Sequence, residues 1–192
     1  DTQDARAGMS RRQFVAASAV AASGGVAALL TRDAVAAATP GPGAIAGSDL
    51  TSVSVQDVIE SRRGDYGVVV LADGAGSYLP IWVGHFEAQA IRLGLKGIAT
   101  ARPMTYDFAH SLLEAADAIP SRVVITELRE MTYFAHFVLT LKGEDRTVDS
   151  RPSDAIAMAV RAGVPILVAT SVMDVAGVRE DEIEQLEPPK RA

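Results

Sequence analysis

The run Val148-Asp149-Ser150-Arg151-Pro152-Ser153-Asp154-Ala155 leads directly into Ile156-Ala157-Met158-Ala159-Val160, and it constrains the fold more than any other stretch. Two carboxylates, a guanidinium and two hydroxyls occupy six positions before the chain turns apolar. Pro152 suits the first turn of a helix, where its missing N–H is not needed, and Ser150 just upstream is placed to cap the free amides. No strongly polar residue follows until Arg161, so this helix must be covered on nearly every side by the rest of the chain. A helix start turns unpaired N–H groups and partial positive charge outward, which suits a phosphate or a carboxylate. Capping chemistry uses the same residues: Asp154 in the first turn stabilises the dipole, Arg151 pairs with it three residues on, and Asp149 ends a strand.

A chain of 192 residues, 48% of them hydrophobic and 22% charged, is sized for one globular domain with a substantial core. It has no cysteine, which excludes disulfides and thiolate metal sites. The formal net charge of −6 opposes a non-specific electrostatic grip on nucleic acid, so any such role needs a local basic group or a bridging metal.

Residues 1–38 are expected to lie outside the fold. Residues before Ser10 read as a leader with Met9 as a start, and Ser10-Arg11-Arg12-Gln13-Phe14-Val15 then opens an Ala-rich apolar stretch to Leu30. Consecutive arginines, a large apolar residue soon after and the small-residue tail Ala34-Val35-Ala36-Ala37-Ala38 resemble a twin-arginine export signal. This implies a periplasmic or extracellular protein with no stable membrane insertion after cleavage. Residues 39–49, with Thr39-Pro40-Gly41-Pro42-Gly43, form a linker, residues 50–177 the domain, and residues 178–192 a charged tail outside the core.

Within the domain, alternation from Val53 to Glu60 predicts a strand, Tyr66 to Ala72 a buried strand, and Tyr78 to Val83 a third in which Pro80 marks an edge or bulge. A helix is expected from Phe86 to Lys96 with Ala88, Ile91 and Leu95 inward. A second should run from Tyr106 until Pro120 closes it, with Phe108, Leu112, Ala116 and Ile119 buried. Arg122–Leu128 and Thr132–Leu141 read as strands. On the latter Tyr133, Ala135, Phe137, Leu139 and Leu141 share one face. Arg146 to Asp149 returns to the helix mouth, Gly163 caps that helix, and Pro165–Ala169 is a last strand. Gly74-Ala75-Gly76 lacks the third glycine of a dinucleotide fingerprint. Strands grouped with strands, then helices, predict an α+β class: a single two-layer domain, a mixed β-sheet with helices packed on it.

Five ordered blocks carry a family resemblance: Tyr78-Leu79-Pro80-Ile81-Trp82-Val83-Gly84 with Glu87-Ala88, Arg102-Pro103-Met104-Thr105-Tyr106-Asp107, Val124-Ile125-Thr126, Thr132-Tyr133-Phe134-Ala135, and Asp149 through Ala157. Over about Val53 to Gly177 the chain resembles the bifunctional nuclease domain family. That resemblance implies hydrolysis of phosphodiester bonds in DNA and RNA. Where the family usually has a histidine between threonine and aspartate this chain has Tyr106, and a neutral phenol is a poor general base.

Phosphodiester cleavage needs an activated water, stabilisation of charge on the phosphorane and protonation of the leaving oxygen. Glu87, Asp107, Asp149 and Asp154 are the carboxylates inside the resembling blocks, and they are expected to converge with Arg151 as the catalytic set. Arg102, Ser150 and Ser153 are the expected substrate-binding residues. Oxygen ligands suit magnesium or manganese, so a divalent metal is the expected cofactor. Helix-start acids and structural ion pairs account for the same residues without chemistry. His85, His110 and His136 are weaker candidates, and Trp82 is expected in the core rather than as a stacking platform. The other class of function is an exported, non-catalytic binding or assembly module whose helix mouth recognises an anionic ligand, with a homo-oligomer as a further possible partnership.

Overall fold

The computed structural model describes residues 49–61 and 64–183; the export signal and linker expected upstream lie outside the described residues. Strands β1 (Leu50–Glu60), β2 (Tyr66–Ala72) and β3 (Tyr78–Gly84) form an antiparallel meander. Helices α1 (His85–Leu95) and α2 (Thr105–Ala115) follow. A second meander comprises β4 (Ala118–Arg129), β5 (Thr132–Leu141) and β6 (Glu144–Ser150). Helix α3 (Pro152–Ala162) then leads to β7 (Ile166–Ala169), α4 (Thr170–Ala176) and the short α5 (Glu180–Ile183).

The seven strands make one mixed sheet in the order β3-β2-β1-β7-β4-β5-β6. Strand β7 inserts between the two meanders, antiparallel to β1 and parallel to β4. A parallel neighbour requires a crossover, and α3 supplies it, running back from the β6 edge over β4 and β5 to the centre of the sheet. This route explains the apolar composition of α3. It packs against sheet, α1 and α2, and Pro152, Ser153, Ala155, Ile156, Ala157 and Ala159 are all buried. Gly163 ends the helix at φ +66, the left-handed geometry that glycine adopts without strain. Edge strand β3 carries Pro80, as expected for a residue that cannot donate to a ladder on both sides.

The main core joins Val69, Leu71, Leu79, Ile81 and Val83 to Val123, Ile125, Ala135, Phe137 and Leu139 beneath Ala88, Ile91 and Ile156. Helix α1 lies so close to β2 that a Cβ on Gly67 would stand 2.5 Å from the Cβ of Ala88. A second, smaller cluster on Val68, Val70 and Trp82 places the tryptophan in the core, as expected.

Four expectations are corrected. Helix α2 stops at Ala115, and Asp117 at φ +54 turns the chain into β4, so that Pro120 lies in a strand beside a register shift rather than closing a helix. Phe108, Leu112, Ala116 and Ile119 are exposed: α2 buries no residue fully and turns Tyr106, Ala109, His110 and Leu113 toward the domain. Leu95 is likewise exposed at the end of α1. The region after Gly177 does contribute to packing, since Val178 is buried, bridges to Tyr78 and belongs with Ile183 to the second cluster.

Candidate active site

Three helix starts meet on one side of the sheet. Gly84 is the N-cap of α1, and Glu87 in its first turn folds back over that glycine, where a Cβ would collide with its carboxylate. The start of α2 brings Tyr106 and Asp107, with the Met104 amide donating to Asp107 Oδ2 at 2.9 Å. The start of α3 brings Arg151 and Asp154, with Arg151 itself as N-cap and Pro152 at the first helical position. Ser150 does not cap the helix; its hydroxyl donates to the Ala135 carbonyl at 3.4 Å, which ties β6 to β5.

Arg151 forms the centre of the cluster. Its Nε donates to Asp154 Oδ2 at 2.7 Å and its Nη2 to Asp154 Oδ1 at 2.9 Å, a forked pair three residues apart. The same Nη2 lies 3.1 Å from Glu87 Oε1. On the other side of Asp154, the Tyr106 hydroxyl donates to Oδ1 at 2.6 Å. Burial favours the neutral form of Asp154, but the bonds from Arg151 and Tyr106 outweigh it and hold the carboxyl below its usual range. Burial, together with the bond to Asp154, drives the Tyr106 phenol well above its usual value, so it remains a protonated donor. The bond to Asp154 raises the affinity of Arg151 for its proton, and that side chain is still 65% exposed.

A second pair abuts the first. Arg161 Nε donates to Asp107 Oδ1 at 2.6 Å, and its Nη1 to the carbonyls of Ala90 at 3.2 Å and Ala157 at 3.1 Å. Its guanidinium stands 5.4 Å from the centre of the Tyr106 ring, and only 9% of its side chain is exposed. The Arg161 bond, with the Met104 amide, holds Asp107 below the ordinary carboxylate range. Tyr106 thus touches both pairs, through its hydroxyl and through its ring face. Beside them Phe86, Glu87, Gln89, Leu93, Met104 and Tyr106 wall a groove of about 330 Å³ between α1 and α2.

Of the carboxylates expected to converge, Glu87 and Asp154 share Arg151, and Asp107 adjoins them through Arg161 and Tyr106. Asp149 does not join: it is exposed on β6, opposite His136 in the ladder. Arg102 is exposed on the loop before α2, and its carbonyl accepts from the Thr100 hydroxyl. Ser153 is buried in the first turn of α3. His85 opens α1 with its ring edge-on to Phe86, and His110 faces Glu114 at 3.8 Å. Arg161 was the residue sequence reasoning passed over. Its only signal was a lone cation ending an otherwise apolar helix, where a C-terminal base is ordinary.

Among the described residues no group of three or more His, Cys, Asp or Glu side chains could hold a metal, and both oxygens of Asp154 are already engaged by Arg151 and Tyr106.

An uncharacterized protein of Mycobacterium tuberculosis is 38% identical over 135 residues, covering 62% of this chain and 79% of that protein. Bifunctional nuclease 2 of Oryza sativa subsp. japonica is 32% identical over 118 residues, covering 60% of this chain and 36% of that protein. Bifunctional nuclease 1 of Arabidopsis thaliana is 30% identical over 128 residues, covering 65% of this chain and 39% of that protein. The chain therefore spans well under half of each of these plant proteins. The bifunctional nuclease domain model matches residues 69–181, a span that holds β3, all three helix starts and both arginine–carboxylate pairs. The chain belongs to the bifunctional nuclease domain family.

Proposed function

We propose that this protein is a nuclease that hydrolyses phosphodiester bonds of DNA and RNA, with Arg151 as the phosphate-binding group. The observation that carries this is a guanidinium held at a helix start by two carboxylates from different elements, with most of its side chain open to solvent. Fixed in that way it offers preorganised charge to a phosphorane, the kind of stabilisation that contributes most to such reactions. Glu87, at the groove wall, is the acceptor for a proton from the attacking water, and Asp154 and Tyr106 position Arg151. Membership of a family whose named relatives are bifunctional nucleases supports the reaction class. The route of export rests on the arginine pair and the small-residue tail of residues 10–38; Arg11→Lys with Arg12→Lys should retain the chain inside cells that otherwise export it, as fractionation would show.

One feature favours the non-catalytic alternative, in which the helix mouth binds an anion without turnover. Glu87, Asp107 and Asp154 are each paired with an arginine, and Tyr106 is a neutral donor rather than a base. The purified full chain incubated with single-stranded DNA and with RNA, in magnesium, manganese or chelator, separates the two. Cleavage that follows the protein through purification and falls on the order of 100-fold in Arg151→Ala supports the nuclease. Oligonucleotide binding without cleavage supports the module. Sensitivity to chelator is the outcome that would bring a divalent ion into the mechanism.

A further inference from the structure

The groove between α1 and α2 adjoins Arg151 and shares two walls with that cluster, Glu87 and Tyr106. Its volume of about 330 Å³ is at the small end of ligand sites, enough for one nucleoside-sized group. Phe86, in the first turn of α1, brings an aromatic ring to this groove with 80% of the residue exposed. The His85 ring stands edge-on to it with centroids 5.4 Å apart, a contact that holds the Phe86 ring in place and leaves its face open. Leu93 and Met104 continue the apolar lining.

The groove also carries polar groups. Arg161 lines it with only 9% of its side chain exposed, and among the described residues its Nε and Nη1 make all of its hydrogen bonds. Nη2 is the donor left over, and an unused donor at that depth calls for an acceptor. Gln89, exposed on α1, adds an amide that can both donate and accept. An open aromatic face, an apolar wall and donors for ring nitrogens or carbonyls are the means by which proteins hold an unstacked nucleobase. Charge creates the need for such contact. With a net charge of −6 and both site arginines paired with carboxylates, attraction to phosphate supplies little affinity, whereas stacking does not depend on net charge.

We propose that the groove is a base subsite: it takes one unstacked nucleobase, stacked on Phe86, from the nucleotide whose phosphate meets Arg151. This rests on the reading of Arg151 as the phosphate-binding group, and it applies to a nucleic-acid-binding module as well as to a nuclease.

Fluorescence anisotropy of the full chain with two labelled strands of equal length tests it. One is an oligothymidylate, phosphorothioate-linked to slow cleavage, and the other is its abasic counterpart. The parent should prefer the base-bearing strand about tenfold, Phe86→Ala should abolish that preference without weakening the abasic complex, and Phe86→Tyr should retain it. Phe86 is mostly exposed, so both variants should keep the parental far-UV circular dichroism. Arg151→Ala should weaken both complexes alike, since each strand keeps its phosphates. A parent that does not distinguish the strands, or a preference unmoved in Phe86→Ala, overturns the base subsite; if Arg151→Ala still weakens both complexes, the phosphate reading survives that result. Both complexes unchanged in Arg151→Ala, with the Phe86 effect intact, instead removes the phosphate reading and with it the link between groove and guanidinium.

Discussion

Tyr106 and Asp154 form the most informative pair in the site, because each shifts the titration of the other in an opposite sense. Asp154 has a depressed carboxyl. Its contribution to stability is therefore full above the unfolded value of about 4 and is lost as pH falls through the folded one. Tyr106 has a raised phenol, so its contribution is full below about 10 and is lost as pH rises beyond that. Tyr106→Phe should cost about 1 kcal/mol near neutrality, and the penalty should shrink near about pH 3. Urea titrations across pH would show this, and a penalty independent of pH would contradict it. Arg161 predicts a larger asymmetry. Arg161→Met removes a nearly buried cation together with two backbone bonds and should cost about 3 kcal/mol. Asp107→Asn, at a partner more than a third exposed, should cost about 1 kcal/mol by the same denaturation assay.

At the scale of elements, two glycines set the position of α1. Gly67→Val should cost about 1–3 kcal/mol by forcing α1 off β2, measured as a lower urea midpoint. Gly84→Ala instead displaces the Glu87 carboxylate from the helix start. Its expected signature is about a tenfold loss of cleavage with little change in stability, read from parallel activity and denaturation curves. Strand periods were legible because β2, β3 and β5 bury residues by alternation or by unbroken apolar runs. The inward face of β5, from Tyr133 to Leu141, follows directly from that alternation. The face of α2 was not legible. It carries two apolar stripes, one through Tyr106, Ala109 and Leu113 and one through Phe108 and Leu112, and periodicity alone does not say which meets the sheet. Ser150 misled for a related reason: a hydroxyl before Pro152 fits a cap, but the strand geometry of β6 directs it to a carbonyl on β5.

At the scale of the molecule, two meanders flank β7, and α3 crosses between them. Sequence order predicts hairpin neighbours well, and it leaves the insertion of β7 beside β1 and β4 open, because nothing local encodes a long-range pairing. The same limit applies to the site. The pair of Arg151 with Asp154 was visible at a spacing of three residues, whereas Glu87 and Tyr106 reach that pair only through the packing of three helices. The net charge of −6 and the pairing of both site arginines predict a shallow salt dependence for single-stranded DNA binding. A log–log slope of about −1 is expected, from one or two phosphate contacts. A slope steeper than about −5 would locate binding on some other, basic surface.

In the proposed reaction the forked, braced guanidinium of Arg151 engages the phosphate. Arg151→Lys keeps the charge and removes the fork, so cleavage of single-stranded DNA by this variant tests it most directly. A rate on the order of tenfold or more below that of the parent, at unchanged thermal stability, is the predicted result; parental rates in Arg151→Lys would contradict it.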